Sequence, residues 1–463
     1  MGTDRMRYKQ LAESFIRDIN DGKLTRGSKM PSLRMLANQH AVSVSTAVSC
    51  YQELESLGWI ISRPKAGFYV AAKPLQHCNR PDLLQFVSQV TEPTTNIVQP
   101  NPLNGPLGVS STTMDSKAKT AIERSFRCAF KRLDDRLSHY PDYQGEPLLR
   151  QALSQHFSHH GFAFKSNELV ITGGCMSGVK TALEICTSAG DAVAISSPCF
   201  NGLITLLATM GRKIVEIPST ESGIDLDQLE CHLEQGHIKA GLFCTTHMNP
   251  QGITMSIEQK KRLVALATKF RTPIIEDDVY IELSHQETFP LPAKYFDRHG
   301  YILWCGSISK TLSPSYRLGW CLPGRYLTEF IDLFAAGSYG ISSQIQLTLA
   351  DFILNGNYSA YLRRKRFQLQ ASKREYTAYL TNELGDKIRI SQPDGGLVLW
   401  LQIPGVDSER LNKHLAEACV DVRHGALFTS LNLYRDCFRI NMGHDFTEPA
   451  QSELKKLVSA INN

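Results

Sequence analysis

The sequence contains no Cys-x-x-Cys pair, although it has twelve cysteines, and that absence excludes the common zinc-site and disulfide-framework spacings. Thiols scattered singly suit a reducing cytoplasm, where most are expected to be small buried side chains. Long apolar runs are missing too, so no segment is expected to cross a bilayer. The opening Met1-Gly-Thr-Asp-Arg-Met-Arg does not read as a signal peptide, and Met6 stands where N-myristoylation needs Ser or Thr. Charge is modest at 21% of 463 residues, with 42% apolar, which is the balance of a globular chain and excludes a disordered one. At this length one core does not suffice, and two or more domains are expected.

What charge there is lies unevenly. Residues 1–72 hold ten Lys or Arg against six Asp or Glu, a surplus of four, whereas the remaining 391 residues carry a surplus of one. A small basic head on a nearly neutral body points to a polyanion as the head's partner. Within the head, Tyr8 to Asn20 has apolar residues at helical spacing, and Pro31-Ser32 opens a short second helix with Ser32 as its N-cap. Ser43 or Ser45 caps a third helix that Gly58 ends. Two β-type runs follow, Trp59 to Ser62 and Gly67 to Val70. Helix, helix, turn, helix and hairpin make the outline of a winged helix-turn-helix.

Residues 73–106 lack a steady period and read as a linker, with a short helical piece around Leu83 to Val90. From 107 to 463 the chain alternates. Strand-like runs at Glu168–Thr172, Ala192–Ser196, Lys213–Ile217, Gly241–Thr245, Pro273–Glu276 and Tyr301–Cys305 are separated mostly by helix-compatible stretches. That alternation predicts a largely parallel α/β sheet with helices on both faces. The last part, from about Gln344, predicts a smaller α+β lobe whose strand starts after Gly395-Gly396.

Chemistry gathers at the ends of those strands. Pyridoxal 5'-phosphate needs a lysine for its aldehyde, an acid for the pyridine nitrogen, a donor for the phenolic oxygen, a flat face for the ring and a phosphate cup. Lys310, in Ser307-Ile-Ser-Lys310, would hold the aldehyde as a Schiff base if desolvation lets its amine lose a proton. Asp277 ends an apolar strand and suits the ring nitrogen. Tyr280 and Asn249 suit the phenolic oxygen, and Phe200 the ring face. Gly173-Gly174-Cys175-Met176 joins a strand to a helix, so its backbone N–H groups suit a phosphate. Singly each motif is weak, because a lysine after a strand is usually solvated and an isolated Phe is usually core.

Their order carries more. Tyr140-Pro-Asp-Tyr-Gln-Gly, Gly-Gly-Cys-Met, Pro-Cys-Phe, Asn-Pro-Gln-Gly, Asp-Asp-Val-Tyr and Ser-Ile-Ser-Lys310 follow one another in an arrangement that resembles the class I aminotransferases of fold type I. The resemblance, which covers roughly Leu107 onward, implies that Asp277 rather than Asp278 meets the pyridine nitrogen. It implies that Ser307 and Arg317 hold the phosphate, and that Tyr140 reaches the phosphate of a second subunit, hence a homodimer. Arg439 matches the arginine that grips a substrate carboxylate. The chain departs from the family at Cys175 and Met176, at His424-Gly425, and in the seven-residue step from Lys310 to Arg317.

Residues Tyr8 to Val70 resemble the GntR family of bacterial winged-helix repressors through Pro31-Ser32-Leu-Arg34, Val42-Ser-Val-Ser-Thr46 and Gly67-Phe-Tyr-Val70. That resemblance implies operator DNA as partner, with Ser32 and Arg34 at the start of the second helix and Ser43, Ser45 and Thr46 at the recognition helix. Arg63 and Lys65 sit on the hairpin, suited to the backbone or the minor groove. Val44 stands where an arginine is common. A GntR-like head on an aminotransferase-like body is the arrangement of the MocR subfamily. The expectation is a DNA-binding regulator that senses pyridoxal phosphate or an amino compound through Lys310. The competing expectation is a working aminotransferase.

Overall fold

A computed structural model of the chain describes residues 2–25, 27–56, 58–63, 67–71, 79–93, 105–286 and 288–462. Lys65 and much of the stretch 73–106 lie outside the described residues. Contacts divide the chain into one unit of Met1–Asn79 with Arg374–Asp386 and another of Arg80–Lys373 with Lys387–Asn463.

In the first unit, helices α1 (Gly2–Asn20), α2 (Leu33–Gln39) and α3 (Val44–Ser56) precede an antiparallel hairpin of β1 (Ile60–Arg63) and β2 (Gly67–Val70). Helix α2 starts where Ser32, in extended backbone, accepts the Met35 N–H at 3.2 Å. Ser43 does the same for the Thr46 N–H at 3.1 Å, which fixes the start of α3. Leu11 and Phe15 from α1 meet Leu36, Tyr51, Leu54, Ile60 and Val70 in one buried cluster. Tyr51 sets its ring edge-on to Phe15 and Phe68 and donates its hydroxyl to the Pro31 carbonyl at 2.8 Å. Each such ring pair contributes about 0.5–1.5 kcal/mol beyond burial. This small core holds the expected helix and hairpin outline together.

The second unit is built on a sheet ordered β3-β6-β5-β8-β9-β10-β11-β4, with β7 (Gly223–Ile224) beside β6. The strands are β3 (Val90–Thr91), β4 (Val170–Thr172), β5 (Ala192–Ser197), β6 (Lys213–Thr220), β8 (Ala240–Phe243), β9 (Ile274–Asp277), β10 (Ile302–Ser307) and β11 (Gly319–Leu322). From β6 across to β10 neighbours run parallel, while β11 turns back between β10 and β4. Strand side chains alternate. Ala192, Ala194, Ile274 and Ile302 pack with helices α8 (Leu226–Glu234) and α9 (Ile257–Lys269). Val193, Ile195, Ile275 and Leu303 pack with α6 (Cys175–Cys186), α7 (Asn201–Thr209) and α10 (Leu327–Ser338). Both faces are covered, which is why these strands read as unbroken apolar runs.

The six expected strands are all present, shifted by at most three residues at their ends. The sequence pattern did not predict the short strands β3 and β7. Leu83 to Val90, expected as a helical piece, contains no helix. Instead Asp82 N–H donates to Gln402 and Ser88 N–H to Gln228, and Val90–Thr91 pairs with Val215 and Ile214 at the sheet edge. An isolated single turn pays the cost of nucleation, whereas the edge of β6 offers ready partners.

The predicted smaller lobe is an antiparallel sheet ordered β12-β13-β15-β14, from Arg389–Ile390, Val398–Gln402, Cys437–Asn441 and Arg423–His424. Helices α13 (Ser408–Glu417) and α14 (Glu448–Asn462) cover it. Buried Glu216 on β6 accepts from Ser197, Thr429 and Ser430 and so ties this lobe to the parallel sheet. Among the described residues no helix is long and apolar enough to cross a membrane.

Candidate cofactor pocket and nucleic-acid face

Strands β4, β5, β8, β9 and β10 end on one side of the sheet, where open α/β sheets place their ligands. A cavity of about 180 Å³ opens there, lined by Cys175, Met176, Phe200, Asn249, Asp277, Tyr280, Ser307, Lys310 and Arg317 among others. Motifs spread over more than 140 residues of chain are thus gathered into one space.

Lys310 follows β10 and is half-buried, its amine donating to the Ser110 carbonyl at 2.7 Å. Burial, with the positive charge of Arg439 nearby, lowers its pKa to about 8 against the opposing pull of Asp277. Asp277 is the last residue of β9, and burial raises its carboxyl to about 6. Its neighbour Asp278 is turned away, accepting from the Trp304 ring N–H at 3.0 Å. The next acid in the run, Glu276, accepts from Thr245 and from the Ala293 N–H, so it holds the fold. Of the three acids, Asp277 is the one that lines the cavity.

Tyr280 and Asn249 meet across the cavity, the Asn249 amide donating to the tyrosine oxygen at 3.3 Å. Burial pushes the Tyr280 hydroxyl up to about 12, so it stays a protonated donor. Helix α6 begins at Gly174 with no side-chain cap, and the N–H groups of its first turn precede the helical ladder. Gly174 sits at φ +100, and a Cβ there would come within 2.8 Å of the Arg317 guanidinium. The cradle therefore combines free helix N–H groups with a cation, the two features that hold a phosphate.

Several expected residues behave differently from a simple motif reading. Cys175 sends its thiol away from the cup, donating to Asp277 at 3.1 Å, so only its backbone is left for a phosphate. Ser307 donates its hydroxyl to the Leu318 carbonyl at 2.8 Å, and Ser309 joins it on the cavity wall. Tyr140 is 82% exposed and does not line its own chain's cavity. Arg439, on β15, is buried. It donates to Asn249 at 3.4 Å and to the Gly108 carbonyl, while its Nε has no partner among the described residues. A buried, unpartnered guanidinium N–H suits an incoming carboxylate. A lysine of lowered pKa, a buried acid, a tyrosine–asparagine pair and an anion cradle together fit pyridoxal phosphate.

Sequence reasoning missed Ser110, Ser309, Cys199 and Cys244. Ser110 bonds Lys310 and Tyr280, and the other three line the cavity. Ser309 lay inside the quoted lysine motif and was the one detectable omission.

In the first unit Arg34, Ser43, Val44 and Ser45 are exposed at the starts of α2 and α3. Ser32 is exposed too, though its oxygen is engaged as the cap of α2. Thr46 corrects the expectation of a DNA contact, being only 4% exposed with its hydroxyl 2.7 Å from that of Ser43. At the first turn of α3 its Cβ points inward, so it braces Ser43. Arg63 belongs to β1.

Comparison with known proteins agrees with both halves. Residues 104–461 match the family of class I and II aminotransferases, and residues 7–70 match the bacterial regulatory proteins of the gntR family. The HTH-type transcriptional regulator YjiR of Escherichia coli, itself uncharacterised, is 31% identical, with 98% of each chain covered. The probable rhizopine catabolism regulatory protein MocR of Rhizobium meliloti is 25% identical over 85% of this chain and 80% of its own length. In fold, the body is similar to the α-aminoadipate aminotransferase LysN of Thermus thermophilus, solved with N-(5'-phosphopyridoxyl)-L-leucine. The TM-score is 0.70 at 21% identity, over 78% of this chain and 92% of that one.

Proposed function

Because the chain belongs to the MocR-type regulators, a GntR helix-turn-helix joined to a class I and II aminotransferase domain, we propose that it binds operator DNA under the control of pyridoxal phosphate or an amino compound captured at Lys310. The observation that carries this reading is the pocket itself. Lys310, Asp277, Tyr280, Asn249 and the Gly174 cradle line or border one cavity in a chain that also carries a DNA-reading head.

When bound, the cofactor supplies an aldehyde for amines and a ring that takes up electron density. The chain's own part is to prepare for it. With a pKa near 8, about a quarter of Lys310 is neutral at pH 7.5, against about one in a thousand for an ordinary lysine. Asp277, near 6, stays ionised there and can hold a proton on the facing nitrogen. Tyr280 and Asn249 orient the phenolic oxygen, and Arg439 holds a carboxylate on the ligand. These groups would also serve transamination, so turnover is the competing reading. The basic head favours regulation, since a metabolic enzyme gains nothing evident from it.

A homodimer is part of this proposal. Phe126, Phe130, Leu137, Tyr140 and Tyr339 are all exposed, and an apolar group of this size is the kind that a second copy covers. A DNA-bound dimer also places the protein in the cytoplasm. The test is to measure affinity for the protein's own promoter region with and without pyridoxal phosphate, across a panel of amines. Affinity that changes with ligand supports a sensor. Fast steady exchange of amino groups without DNA affinity would remove it.

A further inference from the structure

The segment Gly105–Ser111 leads from the head's side of the sequence into the second unit, and its backbone occupies the groups that ligands need. The Ser110 carbonyl accepts from Lys310 at 2.7 Å, and the Ser110 hydroxyl lies 2.9 Å from that of Tyr280. The Gly108 carbonyl accepts from Arg439. Behind these contacts the segment is anchored in the small lobe. Asn441 donates its backbone N–H to the Leu107 carbonyl at 2.6 Å and its amide to the Pro106 carbonyl at 2.9 Å. The Gly105 and Leu107 N–H groups bond the carboxylates of Asp421 and Glu453.

Two geometric facts make this a competition. Bidentate docking along the Nε edge of Arg439 uses Nε and one terminal nitrogen. Nε is unpartnered, but the terminal nitrogen NH2 is held by Gly108. A carboxylate that takes both must release the Gly108 carbonyl. Likewise the Lys310 amine must leave Ser110 before it can meet an aldehyde. We propose that Gly105–Ser111 is a built-in competitor for the ligand, displaced by a compound that joins the cofactor to a carboxylate, and that its release reports occupancy toward the head. The last step rests on the regulator reading above. The displacement itself does not.

Gly108 shows how closely the segment is seated, because a Cβ there would come within 1.9 Å of the Asp421 carboxyl carbon. Gly108→Ala therefore loosens the competitor without removing any side chain of the pocket. The experiment uses the full-length protein and N-(5'-phosphopyridoxyl)-L-alanine, a stable compound carrying both cofactor and carboxylate. Hydrogen exchange in peptides spanning 105–111 should rise about tenfold on binding, and Gly108→Ala should bind the compound about fivefold more tightly. Unchanged or slower exchange would mean that the segment closes over the ligand, which overturns the proposal. That measurement needs no variant, so a misfolded Gly108→Ala leaves it intact. DNA affinity measured alongside separates the two readings. Faster exchange with unchanged DNA affinity keeps the displacement and removes the sensor. Unchanged exchange with altered DNA affinity does the reverse.

Discussion

The head and the body expose opposite solutions to ligand recognition. The head leaves Arg34, Ser43 and Ser45 in water, where they act by position and charge and are subject to salt screening. The body withdraws Lys310, Asp277 and Arg439 from water, where desolvation alters the groups themselves. Recognition in the head should therefore respond to ionic strength, and recognition in the body to pH.

Four experiments bear on that contrast. The largest effect is expected from Lys310→Ala, which should abolish the visible absorbance of bound pyridoxal phosphate and leave ligand-free DNA affinity as it was. Colour that survives extensive dialysis would assign the aldehyde to another residue. Next is pH. Lys310 must be neutral to react, so cofactor affinity should fall about tenfold per unit as pH drops below about 8, with a further decline near 6 as Asp277 gains a proton. A spectroscopic titration across pH 6–9 reads this directly, and a flat profile would contradict the lowered lysine. Arg34→Ala should weaken operator binding about tenfold and reduce the salt slope by about one, with the cofactor spectrum unchanged. The smallest effect is expected from Ser43→Ala. Losing the cap of α3 should cost about 1 kcal/mol of local stability, seen as faster amide exchange in the first turns of that helix. Equal exchange would show that Ser43 does not hold the helix.

The same contrast governs how much was legible in the sequence. Strands buried on both faces announce themselves as apolar runs, and the residues at their ends could be named from motif order. Arg439 stood out because a guanidinium on a strand is conspicuous. The segment Gly105–Ser111 was silent because it acts through carbonyl groups that every residue has. Thr46 was misjudged for a related reason. Three neighbouring hydroxyls look equivalent in a sequence, and only the turn of the helix decides which one faces the core. The edge strand β3 went unseen because its partners lie more than a hundred residues away.

The uncapped start of α6 carries one more consequence. A helix end that no side chain satisfies leaves part of the fold's free energy to whatever anion is dissolved around it. By mass action, each tenfold rise in a bound anion above its dissociation constant adds about 1.4 kcal/mol to the folded state. Melting temperature should then follow the phosphate content of the buffer even without pyridoxal. In the cell, the abundance of this chain would be linked to phosphorylated metabolites before any gene responds.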